Sequence, residues 1–229
     1  MKTVGIIGGL GPETTAKFYL ELIDLCFKNY KETRPPILTW SIPQPYIIEE
    51  DLITKSEGEE KYLPFLIDAA KRLEAGGADF IVIPCNSVHI FIEQIRDAVE
   101  IPVLNIVEET IKFLDKFKIS EVGLLATSTT IKHNLYQKSL EEKGIRIFLP
   151  EQKDQNKLDK IINKLVLNKI TNKEIAYLLN LVKQLSNDVD RTILLACTDL
   201  QLIVQQINNA KVFDTMKILA EATTREILG

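Results

Sequence analysis

Along the chain, short apolar runs alternate with longer amphipathic stretches. Val4–Ile7, Ile37–Trp40, Phe80–Ile83, Val103–Ile106, Val122–Leu125, Arg146–Leu149, Thr192–Leu195 and Val212–Phe213 are too short for helices and read as strands. Between them apolar residues recur at spacings of three or four, as in Phe18, Leu22, Leu25 and Cys26, in Phe65, Ala69 and Leu73, and in Ile131 and Leu135. That is the period of a helix with one buried face. Strand–helix alternation predicts an α/β fold with parallel sheets covered on both faces.

Two segments are echoed. Gly5-Ile6-Ile7-Gly8-Gly9-Leu10-Gly11-Pro12-Glu13-Thr14-Thr15, a strand entering a small-residue turn and a Thr pair, is answered by Gly123-Leu124-Leu125-Ala126-Thr127-Ser128-Thr129-Thr130. Ala78-Asp79-Phe80-Ile81-Val82-Ile83-Pro84-Cys85-Asn86-Ser87 is answered by Asp190-Arg191-Thr192-Ile193-Leu194-Leu195-Ala196-Cys197-Thr198-Asp199. Turn, Cys, turn, Cys predicts a duplicated α/β unit with a pseudo-twofold axis. The expected lobes are 1–105 plus 210–229, which takes back the last strand and helix from Val212 to Leu228, and 106–209.

Composition narrows the function by exclusion. Of 229 residues, 45% are hydrophobic and 26% charged, enough apolar surface for a packed core. Runs such as Ala78–Pro84 are far shorter than the ~20 residues that cross a bilayer. The start, Met1-Lys2-Thr3-Val4, reads as a first strand rather than a leader, so the expected location is the cytoplasm. A net charge of −4 without a dense basic cluster argues against nucleic acid and for a small-molecule partner. Three cysteines and two histidines without CxxC spacing make no zinc signature.

Cys85 and Cys197 each follow an apolar strand and precede polar residues that look like a helix start. Both thiols are therefore expected at the carboxyl ends of parallel strands, where open α/β sheets bind ligands, with the helix N-terminus lowering the thiol pKa. Cys26, inside an amphipathic helix, reads as core. A permanent Cys85–Cys197 bridge is disfavoured in a reducing cytoplasm. The turn Gly8-Gly9-Leu10-Gly11-Pro12 lacks the third glycine of a dinucleotide fingerprint, since position 14 is Thr14. It suits instead the approach of backbone N–H groups at Gly9 and Leu10 to an anionic group. Thr14, Asn86, Ser87, Thr127, Ser128, Thr130 and Thr198, all near strand ends, are helix caps singly and together a set of donors for a substrate carboxylate. His89, four residues after Cys85, is a secondary candidate, and His133 reads as a solvated helix residue.

Together, Gly8-Gly9-Leu10-Gly11-Pro12, Pro84-Cys85-Asn86-Ser87-Val88-His89, Ala126-Thr127-Ser128-Thr129-Thr130 and Ala196-Cys197-Thr198-Asp199 resemble the aspartate/glutamate racemase family across essentially the whole chain. The resemblance implies two Rossmann-like lobes with the site in the cleft between them, homodimers, and neither pyridoxal phosphate nor metal. Its aspartate racemase branch is the nearer match, because glutamate racemases typically carry His where this chain has Asp199. The implied activity is racemisation of a small acidic amino acid, aspartate first, with Cys85 and Cys197 as opposed proton carriers. Ser87, Val88, Ala196 and Asp199 depart from the usual motifs. Residues 41–51 contain no basic residue where aspartate racemases place an arginine, and Lys160, Lys164 or Lys169 would match a lysine used from the second lobe. Competing expectations are a broad-specificity racemase, an isomerase or decarboxylase of small diacids, and a non-catalytic ligand-binding homologue.

Overall fold

A computed structural model describes every residue except 56, 188–190 and 205–210, with backbone alone at 54 and 55. The first half runs β1 (Val4–Gly8), α1 (Pro12–Asn29), β2 (Ile37–Ser41), α2 (Tyr46–Lys55), α3 (Leu63–Ala75), β3 (Phe80–Val82), α4 (Ile92–Arg96) and α5 (Ile106–Lys116). The second runs β4 (Glu121–Ala126), α6 (Ser128–Lys132), α7 (Gln137–Glu142), β5 (Arg146–Phe148), α8 (Gln152–Val166), α9 (Asn172–Leu185), β6 (Thr192–Ala196), α10 (Gln201–Val204), β7 (Val212–Asp214) and α11 (Thr215–Leu228). Two parallel sheets result, ordered β2-β1-β3 and β5-β4-β6-β7.

Period-two burial explains why each sheet is covered twice. Val4 and Ile6 of β1, Phe80 and Val82 of β3, Val122 and Leu124 of β4, and Leu194 and Ala196 of β6 enter one core shared by the two sheets. Helices α1, α5 and α11 fill that core with Phe18, Leu22, Ile111, Leu114, Met216 and Leu219. The alternate residues face outward into separate cores. Ile7 and Ile81 pack on Leu66 and Leu73 of α3, while Leu125, Ile193 and Leu195 pack on Leu158, Ile162 and Leu178 of α8 and α9. Helix α2 joins the lobes, since Leu52 lies in the first of these outer cores and Ile53 in the second.

Two expectations change. Val103–Ile106 is not a strand of its own: Val103 makes a single parallel bridge to Ile81, and Ile106 already opens α5. Asn105 stops the strand by capping that helix, its side chain accepting the Val107 N–H at 2.8 Å. The strand Val212–Phe213, expected in the first lobe, pairs with β6 in the second sheet. The duplication gives the reason. β7 beside β6 repeats the Val103 bridge beside β3, and Asp214 caps α11 by accepting the Met216 N–H at 2.9 Å, as Asn105 caps α5. Helix α11 itself does return to the first lobe as expected: it packs along α1 in the shared core, and its end bonds the chain start through the Lys2 N–H and the Ile227 carbonyl. The expected crossing at 209/210 and Asp190 of the second echo lie outside the described residues.

Because α11 packs on both α1 and α5 within the shared core, truncating its buried Leu219 should loosen both lobes together. Leu219→Ala is expected to cost about 2–5 kcal/mol in denaturant unfolding as a single transition with unchanged slope. Two separated transitions would show that the lobes are stable independently.

Candidate active site

Each cysteine stands on a loop that leaves the carboxyl end of a central strand, and the two loops are bonded to each other. The Thr198 hydroxyl donates to the Pro84 carbonyl at 3.2 Å, joining the residue after Cys197 to the residue before Cys85. Both cysteines are free thiols, and both line one closed cavity between the lobes. With Leu10, Asn86, Ser87, Thr127 and Thr198, seven of the eleven site residues expected from the sequence line it. Its volume is about 30 Å³, room for one or two waters. As it stands the cavity is too narrow for an amino acid, which enters only if the walls part.

Hydroxyls seal the cleft. Ser87 Oγ lies 2.9 Å from Thr127 Oγ1 and 3.3 Å from Thr130 Oγ1, so Thr130 supports the wall from behind without lining the cavity. Ser128 turns away, its N–H and hydroxyl both donating to the Asp159 carboxylate on α8. Gly9 also lies outside, on an outer hollow, its N–H spent on Thr15 Oγ1 at 3.0 Å. Asn86 is held in one orientation: its Nδ2 donates to Thr215 Oγ1 at 3.0 Å, and its Oδ1 accepts the Tyr136 hydroxyl. One amide proton of Asn86 remains for a ligand. His89 is a clamp. Its Nδ1–H donates to the Cys85 carbonyl at 2.7 Å and its Nε2 accepts the Ile106 N–H at 3.2 Å, which fixes the neutral tautomer. Burial, the chief cause, lowers its pKa to about 4.

The expected lowering of the thiol pKa values is overturned. Short 3-10 turns, Ser87–Phe91 and Thr198–Leu200, follow the cysteines before α4 and α10 begin, so no regular α-helix starts at either sulfur and the macrodipole there is weak. The amides of Ser87 and Val88 do act on Cys85, and those of Asp199 and Leu200 on Cys197. They lose to desolvation and then to the Asp199 charge, which push Cys85 up to about 12 and Cys197 well above the ordinary thiol value.

Two carboxyl groups outside the expected set also line the cavity: Asp199, earlier noted only as a family departure, and Glu49 of α2. Asp199 is buried and accepts the Thr14 hydroxyl at 2.6 Å; desolvation raises it to about 6. Gly11 makes this approach possible. Its φ is +87°, and a Cβ there would stand 2.6 Å from Asp199 Oδ1. Glu49 lines both the cavity and the outer hollow, so it stands in the wall between them. Burial, followed by the Asp199 charge, raises Glu49 to about 7. No Lys or Arg is among the described residues lining the cavity. Of the lysines considered for the second lobe, Lys164 pairs with Glu174, and neither Lys160 nor Lys169 lines it. The described residues contain no His/Cys/Asp/Glu group able to hold a metal, and no helix among them is long and apolar enough to cross a membrane.

The two parallel α/β lobes and the match to a racemase family place the chain among the two-lobed amino-acid racemases. The chain belongs to the Asp/Glu/hydantoin racemase family, whose model matches residues 7–223. It is 30% identical to the broad specificity amino-acid racemase RacX of Bacillus subtilis, over 99% of this chain and 98% of the relative. Among solved structures it resembles the aspartate racemase of Picrophilus torridus, with 26% identity, TM-score 0.84, and 99% and 94% of the two chains covered. It also resembles an aspartate racemase homologue of Pyrococcus horikoshii, with 28% identity, TM-score 0.78 and full coverage of both chains.

A carboxyl group whose folded pKa is raised stabilises the fold below its unfolded value, and that stability is lost as pH rises through the folded value. For Glu49 the window is pH 4.5 to about 7, and the loss is on the order of 3 kcal/mol. Glu49→Gln is therefore expected to match the wild type in urea unfolding at pH 4.5 and to exceed it at pH 8. Equal stability at pH 8 would show that the carboxylate is solvated.

Proposed function

We propose that this protein racemises free α-amino acids through proton transfer between Cys85 and Cys197, and that it prefers neutral or cationic side chains over anionic ones. The observation that carries the reading is the shared cavity, with its hydrogen-bonded cysteine loops and two carboxyl groups but no cation among the described lining residues. A substrate zwitterion brings an ammonium group that can pair with Asp199 or Glu49, and a cationic side chain brings a second positive charge for the other. An aspartate side chain would instead add a carboxylate to a cavity that already holds two, and like charges in a desolvated site repel strongly.

In this reading one sulfur removes the α-proton while the other returns a proton to the opposite face, which inverts the centre. The α-carboxylate gains enediolate charge as the proton leaves. The remaining Asn86 amide proton, the Ser87 and Thr127 hydroxyls and the loop amides are the donors near enough to hold it, and preorganised donors are worth about 3–4 kcal/mol each. Closure of the lobes removes water and strengthens all of them.

Aspartate is the second reading, favoured by the likeness to the Picrophilus aspartate racemase. Incubation with L-lysine, L-ornithine, L-alanine, L-aspartate and L-glutamate in deuterated water separates the two. Deuterium should enter the α-position of neutral and basic amino acids and appear in the D-enantiomer, with aspartate and glutamate at least tenfold slower. Cys85→Ser and Cys197→Ser should each lower racemisation by about 10²–10⁴-fold. Fast exchange of aspartate alone would replace the first reading by the second. Two-way turnover by either serine variant within about tenfold of the wild type would remove the two-thiol mechanism.

A further inference from the structure

We propose that the resting base of this site is the Asp199 carboxylate acting through Cys197, and that both cysteines rest as thiols. The inference rests on the racemase reading above and adds to it the group that holds the negative charge between turnovers. The Cys197 thiol points at Asp199 Oδ2 across 3.9 Å, the outer limit for a sulfur donor. The other carboxylate oxygen is fixed by the Thr14 hydroxyl at 2.6 Å, and Gly11 leaves the space that lets the carboxylate sit there. Asp199 is thus held from the first lobe while it addresses a sulfur of the second.

The charges around it point the same way. Facing Asp199 are Glu13 of α1, Glu49 of α2, and the two thiols, with Tyr62 beside Glu49. A standing thiolate would be a further negative charge among these groups, with no Lys or Arg among the described lining residues to balance it. Burial and the Asp199 charge accordingly hold both thiols protonated at neutral pH, whereas Asp199, raised only to about 6, is mostly ionised there.

The steps balance. As the substrate Cα–H bond breaks, its electron pair stays on the substrate as enediolate and its proton goes to Cys197 Sγ. The proton already on that sulfur moves to Asp199 Oδ2. From the other face the Cys85 S–H bond breaks, its proton forms the new Cα–H bond, and the electron pair remains on that sulfur. Asp199 then returns its proton to Cys85 by way of water in the cavity, for which there is room. Two thiols and one carboxylate are restored, so the free enzyme need not pass between two protonation forms.

Thiolate absorbance at 240 nm, followed from pH 5 to 11 in the intact free enzyme, and the pH profile of kcat/KM test the proposal together. Expected are no thiolate signal at pH 7 to 8 and an ascending limb near pH 6 that persists in Glu49→Gln. Asp199→Asn should lower kcat by about 10²–10⁴-fold and remove the limb near pH 6, and Asp199→Glu should recover part of the loss. A thiolate at pH 7 in the free wild type, or an Asp199→Asn variant within tenfold of wild-type kcat, overturns the proposal. If Asp199→Asn fails to fold, the wild-type titration and pH profile still decide. A wild type that exchanges no amino acid α-hydrogen defeats the racemase reading itself, a different result from active wild type with a standing thiolate.

Discussion

The arrangement depends on one constraint: two thiols and two carboxyl groups share a cavity from which water is nearly excluded and whose described lining carries no Lys or Arg. In such a medium the cost of a charge decides which form each group takes. Thiols stay neutral, and the negative charge settles on the carboxylate that has donors, Asp199 with its Thr14 hydroxyl. Neighbouring features follow from that choice. Gly11 lacks a Cβ because Asp199 needs the space, and His89 is locked as a neutral clamp because a charged imidazole has no solvation there.

The duplicated topology explains how a chain of this length builds such a cavity. Each repeat ends a central strand in a cysteine loop and follows its last strand segment with a capped helix, α5 or α11. Those two helices meet in the core that both sheets share, so the rear of the cleft is fixed by apolar packing. The front is fixed by hydroxyl bonds, which exchange readily with water, and by α2, whose Leu52 and Ile53 pack into the two outer cores.

Much of the fold was legible because apolar strands in an α/β protein are short and nearly continuous. The two thiols were legible because their loops are echoes of one another. Which sheet would take Val212–Asp214 was not, since three residues carry no pairing information and only the topology of the first repeat assigns them. The end of the strand near Val103 was missed although its signal was present, because Asn105 followed by Ile106, Val107, Thr110 and Ile111 is a capped helical pattern. Glu49 escaped notice for a different reason. A glutamate in a helix beside Glu50 and Asp51 looks solvated, and its burial comes from α2 lying against α8 of the other lobe, a contact that no local pattern encodes. The thiol pKa values were misjudged because a helix start was assumed where turns of five and three residues stand, and because desolvation outweighs the few amides aimed at each sulfur.

The asymmetry between the two repeats carries the last step. The sulfurs occupy equivalent positions, but Cys85 is followed by Asn86, whose amide is tied to Tyr136 and Thr215, while Cys197 is followed by Thr198 and the carboxylate of Asp199. The two faces of a bound amino acid thus meet different chemistry. Enantiomers have equal free energies in solution, so kcat/KM must be the same for both directions whatever the protein does. An unsymmetrical site can only divide that common value differently between kcat and KM for each enantiomer, binding one more tightly and turning it over more slowly. The carboxylate on one side therefore tunes which enantiomer the closed cavity holds, and leaves the balance between them untouched.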